Sequence, residues 1–185
     1  MTALNRNPEN IDLLQSTKFR LTFNRLPGMV YFCQQANIPG ISLTEIPISN
    51  PFVELYAPGE KLVYENFNIS FLVDEDLRSW TEIHDWMRGM TFPNNFEEYL
   101  NLQKKAVSTN KLNLSNTSKY LTGGQYSDAI MTINTNKNNP NFRIKFVNIF
   151  PVSLSTLIFN TGDSAENVIT SDSTFRFSYY TYERI

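Results

Sequence analysis

The chain has 185 residues, 41% hydrophobic and 14% aromatic, with a formal net charge of -2 from 16 basic and 18 acidic side chains. That balance supplies neither a polybasic groove nor an acidic tail to steer a partner over long range, and with only 18% charged residues the surface rests on neutral polar side chains. A single cysteine excludes an intramolecular disulfide and any multi-thiolate metal set, and the size fits one domain.

Met1 to Gln15 carries no signal-peptide pattern. No apolar run approaches the roughly 20 residues that cross a bilayer, so no membrane partner is expected. From Lys18 to Asn24 the residues alternate, with Phe19, Leu21 and Phe23 on one face and Lys18, Arg20 and Thr22 on the other, which predicts a half-buried strand. Leu26-Pro27-Gly28 turns the chain into a second predicted strand at 30–34, and a loop through Ile38-Pro39-Gly40 leads to a third at 42–46. The breaks Asn50-Pro51-Phe52 and Ala57-Pro58-Gly59-Glu60 predict a long hairpin between Leu43 and Val73, part of it at a sheet edge because proline cannot donate to a ladder.

Phe67 to Val73 alternates strictly and is the clearest strand. After it, Leu77, Trp80, Ile83, His84 and Met87 form one apolar stripe, predicting an amphipathic helix at about 75–88. Asp74-Glu75-Asp76 suits its positive end, and Arg88 and Gly89 suit its last turn and left-handed cap. A second helix is expected from Asn94 or Asn95 to about Ala106, then an exposed loop over 108–125 rich in Ser, Thr, Asn and Gly. Strands follow at 128–135, 141–150, 153–160 and 173–182. Phe142, Ile144 and Phe146 oppose Arg143 and Lys145, while Phe175, Phe177 and Tyr179 oppose Arg176, Ser178 and Tyr180. The expected fold is mainly β with a flanking α-helix: two packed antiparallel sheets forming a β-sandwich or small barrel.

Chemistry-bearing side chains are sparse. His84 has no second histidine and no cysteine near it in sequence, and Glu82 and Asp85 lie at spacings that do not face it on a helix, so a packing or capping role is expected. Cys33 is expected to pack as a small hydrophobe. Asp74-Glu75-Asp76 lacks the spacing of a calcium loop, and Gly123-Gly124 is not followed by the Lys-Ser or Lys-Thr of a phosphate loop. No catalytic residue, cofactor or metal is expected, although distant carboxylates such as Glu54, Glu65 and Asp163 could converge in space. Tyr180 and Tyr182 fall on the predicted outer face of the last strand, where burial against another subunit would explain them. The tyrosines and abundant Asn also leave open a carbohydrate-binding β-sandwich.

The order of elements carries a resemblance: a strand pair, an edge hairpin with Glu45-Ile46-Pro47-Ile48 and Ala57-Pro58-Gly59-Glu60-Lys61, the strand Phe67 to Val73, the capped helix through Asp85-Trp86, and closing strands around Phe150-Pro151-Val152-Ser153. The chain resembles the tail-tube protein family of contractile-tailed bacteriophages, itself similar in fold to the type VI secretion tube protein. The resemblance implies one tail-tube-like domain over residues 1–185, with an inserted helix and loop at about 93–127. It implies a virion structural protein, assembled in the host cytoplasm into homo-hexameric rings. Stacked rings would form a channel for genome ejection, with a tube-initiating or baseplate ring as the alternative. Its partners would be copies of itself, tail sheath and baseplate proteins, and double-stranded DNA passing without specific binding along a near-neutral to acidic wall. The hairpin from Leu43 to Leu62 would touch the neighbouring ring, which makes Phe52, Leu55 and Tyr56, with Tyr180 and Tyr182, the candidate interface residues.

Overall fold

The computed structural model describes residues 12–109, 124–162, 164 and 167–185. Alternation becomes strand where expected: β1 (Phe19–Phe23), β5 (Phe67–Leu72) and β6 (Ser127–Asn134) bury every second residue, because successive side chains on a pleated strand point to opposite faces. The predicted strand at 30–34 is instead a turn of helix, α1 (Met29–Phe32), leading into the short β2 (Cys33–Ala36). Met29 is buried and Tyr31 is exposed there, a local pattern that four residues are too few to reveal in advance.

The predicted hairpin is β3 (Ile41–Ile48) paired with β4 (Leu55–Tyr64), and these two strands form a ribbon of their own. The other strands form one antiparallel sheet in the order β1-β6-β7-β8-β5-β2, with β9 also on β7. The chain read as two strands at 141–150 and 153–160 is one strand, β7 (Pro140–Leu154), and the backbone beyond Leu154 is irregular. Pro151 does not end it, because the chain bends through Asn148, which holds a left-handed φ of 56°, and through a register shift at Pro151/Ser153. The first part of β7 pairs with β6 and with β9 (Tyr179–Arg184), and its last part pairs with β8 (Thr170–Arg176). The expected strand at 173–182 is thus divided into β8 and β9 by a break at Phe177 and Ser178.

The sheet folds on itself across this bend, so β1, β6, β7 and β9 face β2, β5 and β8 as the two layers of an open sandwich; no closed barrel forms. The core is aromatic: Phe67 lies 4.5 Å from Phe146 and 6.4 Å from Phe23, and Phe23 lies 5.2 Å from Phe175, joining both layers. α2 (Arg78–Thr91) covers one side with Ile83 and Trp86 buried, and the Trp86 indole donates 2.9 Å to the carbonyl of Gln125. Its start is capped by Asp74, whose Oδ1 accepts from the Ser79 N–H at 3.0 Å and the Ser79 hydroxyl at 2.9 Å.

Gly89 is not the C-terminal cap. The helix runs through it to Thr91, and Phe92 takes the left-handed conformation instead. The position is tight: a Cβ at 89 would stand 3.0–3.1 Å from the side chain of Leu102 on α3 (Phe96–Thr109), which packs against α2 and would have to shift. The Asn95 side chain accepts from the Glu97 N–H at α3's start, and most of the expected loop at 108–125 lies outside the described residues.

Candidate assembly surfaces

The β3–β4 ribbon is rich in apolar side chains that the rest of the described residues leave uncovered. Ile46 pairs with Ala57 and Ile48 with Leu55, so Ile46, Ile48 and Leu55 share a patch on one face; Pro47 pairs with Tyr56 on the other. All but Ala57 are exposed. Phe52, in the connecting loop, is 94% exposed. The strands are locked together where the register shifts between Leu43 and Glu45: Gly59 approaches Thr44 so closely that a Cβ would stand 2.5 Å from the Thr44 carbonyl oxygen. At the root, Tyr64 rests 5.3 Å from Tyr180 and 5.5 Å from Phe177, which ties the ribbon to the junction of β8 and β9. The Tyr56 hydroxyl donates 2.6 Å to the Glu54 carboxylate, which raises the phenol's pKa.

The second surface is the layer β1-β6-β7-β9. Its inward face carries Leu21, Phe23, Met131, Ile133, Ile144 and Phe146. Tyr180 belongs to that face, because the break at Phe177 and Ser178 shifts the alternation and register places Tyr180 beside Phe146. It packs 5.8 Å from Phe146, its hydroxyl donates 3.4 Å to the Pro39 carbonyl, and burial raises its pKa, which corrects the outer-face placement of this residue. Tyr182 pairs with Ile144 and so shares this face as well, which corrects its outer-face placement too, yet it is 75% exposed. The outward face runs in registered rows, Arg20-Thr132-Arg143-Glu183 and Thr22-Ile130-Lys145-Thr181. β1 and β9 end this layer, each with no described strand on its far side.

The third region is the cleft between α2, α3 and the segment after β1, about 710 Å³ in volume. Arg25 stands over the Trp86 ring at 5.1 Å and donates to the Gly124 and Leu102 carbonyls, and burial pulls its pKa down to about 10, still charged at neutral pH. Arg88 and Glu98 pair at 2.6 Å across the two helices. These contacts fasten α3 to α2 and to the segment after β1. His84 stacks on Trp80 at 5.1 Å, and its Nδ1 lies 3.5 Å from Asp85, an adjacency that the spacing argument had set aside. Cys33 is partly buried and its thiol is pushed up to about 11 by burial, so it is not a poised nucleophile. No cluster of three or more metal-ligating side chains occurs among the described residues, and no helix among them is long and apolar enough to cross a membrane.

The structure therefore places Leu55 and Tyr56 on opposite faces of β4, Phe52 in the loop between β3 and β4, and Tyr180 and Tyr182 on β9, with Tyr64 linking ribbon root to β9. Sequence reading missed Ile46 and Ile48 as members of the same patch, although apolar residues on both faces of a predicted edge hairpin were the available signal. It also missed Ile158 and Phe159, which are 79% and 72% exposed in the irregular segment after β7.

Comparison with known proteins fits a structural assembly. The chain is 23% identical over 154 residues to the tail tube terminator protein of Enterobacteria phage T4, covering 82% of this chain and 76% of that one. Its fold matches the tube-terminating cap of the anti-feeding prophage, with a TM-score of 0.56 at 13% identity over 100% of both chains. It also matches a chain of the sheath/tube terminator of the PVC extracellular contractile injection system, with a TM-score of 0.52 at 12% identity over 94% and 99% of the two chains. The family model described as phage tail tube protein covers residues 11–183, and the chain belongs to that family, as a structural component of the phage tail and not an enzyme.

Proposed function

We propose that the chain closes into homo-hexameric rings of the tube-terminator kind, seated at an end of the tail tube in contact with tube and sheath. The observation that carries this reading is the layer β1-β6-β7-β9, with no described strand beyond β1 or β9. The layer has four strands, antiparallel throughout, so β1 and β9 run in opposite directions. Copies repeated around an axis therefore offer β9 of one subunit to β1 of the next in antiparallel pairing, a head-to-tail contact that removes both edges of this layer when the ring closes. Six copies make a 24-stranded wall roughly 45–50 Å across between backbones, given a strand spacing of about 4.8 Å and a tilt near 40°. Such a bore admits a DNA duplex.

The β3–β4 ribbon, tethered by its root and apolar at its far end, supplies the contact between rings. The likeness to the T4 tail tube terminator supports a terminal station; a main-tube subunit is the second reading, supported by the family description. Electron microscopy of the purified protein is expected to show six-fold rings, and labelling of the parent particle is expected to mark one end of the tail. A protein that stays monomeric at every concentration and is absent from tails overturns the proposal. Label along the whole shaft moves the assignment to the main tube.

A further inference from the structure

The outward face of the layer β1-β6-β7-β9 has a charge opposite in sign to the chain that carries it. Arg20, Arg143 and Lys145 stand on it by register, and Lys18 joins them by alternation, against the two carboxylates Asp128 and Glu183. Both carboxylates are occupied. Glu183 accepts from Arg143 at 2.8 Å, and Asp128 accepts from the backbone N–H of Asn148 at 3.2 Å. Lys18, Arg20 and Lys145 have no ion-pair partner among the described residues. Between them stand Thr22, Thr132, Thr181, Asn134 and Asn141, hydroxyl and amide donors of the kind that contact phosphate and sugar without reading bases. The whole chain has a net charge of -2, so the excess of cations here is local. A near-neutral to acidic wall, expected for this subunit, is not what this face offers.

We infer that this face binds the phosphate backbone of double-stranded DNA, independently of sequence. The inference rests on the ring reading for where the face lies: closing the ring turns the same residues into a cationic belt around one bore, wide enough that the duplex meets the belt by lying against one side of it. Each neutralised phosphate releases a counterion, so a belt of this kind grips what a neutral wall lets slide. A shaft gains nothing from such a grip. A ring at the end of a tube gains a means of holding the duplex until ejection.

The test is fluorescence anisotropy of a short linear DNA duplex with the purified full-length protein over a range of salt concentrations, with electron microscopy of the same samples. Wild type is expected to bind with an affinity that falls linearly with salt on logarithmic axes. The double variant Arg20→Gln/Lys145→Gln, changed on an outward face, is expected to lose affinity at least roughly tenfold and to show a shallower salt slope. Glu183→Gln, which frees Arg143, is expected to tighten binding roughly threefold, a gain that a folding defect does not produce. No binding at the lowest salt, or a double variant that binds like wild type, overturns the inference. Rings that ignore DNA sink it and leave the ring reading standing, whereas binding by a protein that never forms rings supports the surface and removes the ring.

Discussion

The β3–β4 ribbon and the sandwich core are built from the same kinds of residue and end in opposite states. In the core, Phe67, Phe71, Phe146 and Phe175 are fully buried because a second layer faces each of them. In the ribbon, Ile46, Ile48, Leu55 and Tyr56 remain about half exposed because two strands have no second layer to offer. Apolar side chains in a strand thus report only that some surface will cover them. Whether that surface belongs to the same chain depends on topology, and here the ribbon shares no hydrogen-bond ladder with the main sheet.

Three substitutions sharpen that contrast. The largest effect is expected in the core: Phe67→Ala removes a ring in contact with Phe23, Phe146 and Phe175 and should cost about 3–5 kcal/mol in denaturant unfolding. A cost below 1 kcal/mol would mean that the two layers are not packed as described.

A smaller effect is expected at the helix cap. Hydrogen bonds from the Ser79 N–H first, and from its hydroxyl, hold the Asp74 carboxyl below its usual range. A lowered pKa in the folded state means that the contribution is present above the unfolded value and is lost as pH falls through the folded one. Asp74→Ala should therefore destabilise by about 1 kcal/mol at neutral pH and leave the variant and wild type converging in acid. A difference that persists unchanged below the carboxylate range counts against the cap.

The smallest effect on stability, and the sharpest on assembly, is expected at the ribbon tip. Phe52→Asp changes a side chain that is 94% exposed, so unfolding should shift by no more than about 0.5 kcal/mol. Association measured by sedimentation should weaken, since burying an unpaired carboxylate in an apolar contact is unfavourable. Unchanged association would remove the ribbon tip from the interface; a large loss of fold stability would mean that it packs within its own subunit.

Much of the fold was legible in the chain, for reasons particular to each element. β5 and β6 were found because strict alternation has few other causes, and α2 because Trp80, Ile83, His84 and Met87 repeat at helical spacing. The strands expected at 141–150 and 153–160 join into β7 up to Leu154, and the residue that turns the chain within it, Asn148, has no signature apart from its tolerance of a left-handed φ. Gly89 reads as a cap because glycine commonly ends helices; the close approach of Leu102 comes from another element and has no local trace. Tyr180 was placed on the wrong face because a two-residue break inverts every alternation after it. The candidate interface residues of the ribbon were legible as a hairpin. The cationic face was not, because strands separated in sequence contribute one or two charges each and only register gathers them.

The pairing of β1 with β6 also bears on how the molecule comes to exist. Phe19 meets Ile133 across more than a hundred residues of chain, while β6, β7, β8 and β9 are near neighbours in sequence. Closing the longer loop costs more entropy, so β1 is expected to join after the C-terminal strands have paired. Until it arrives, β6 exposes an edge with the same direction and register that β1 will fill. During folding, a second chain's β1 can take that place, and the same strand that completes one subunit can then link two.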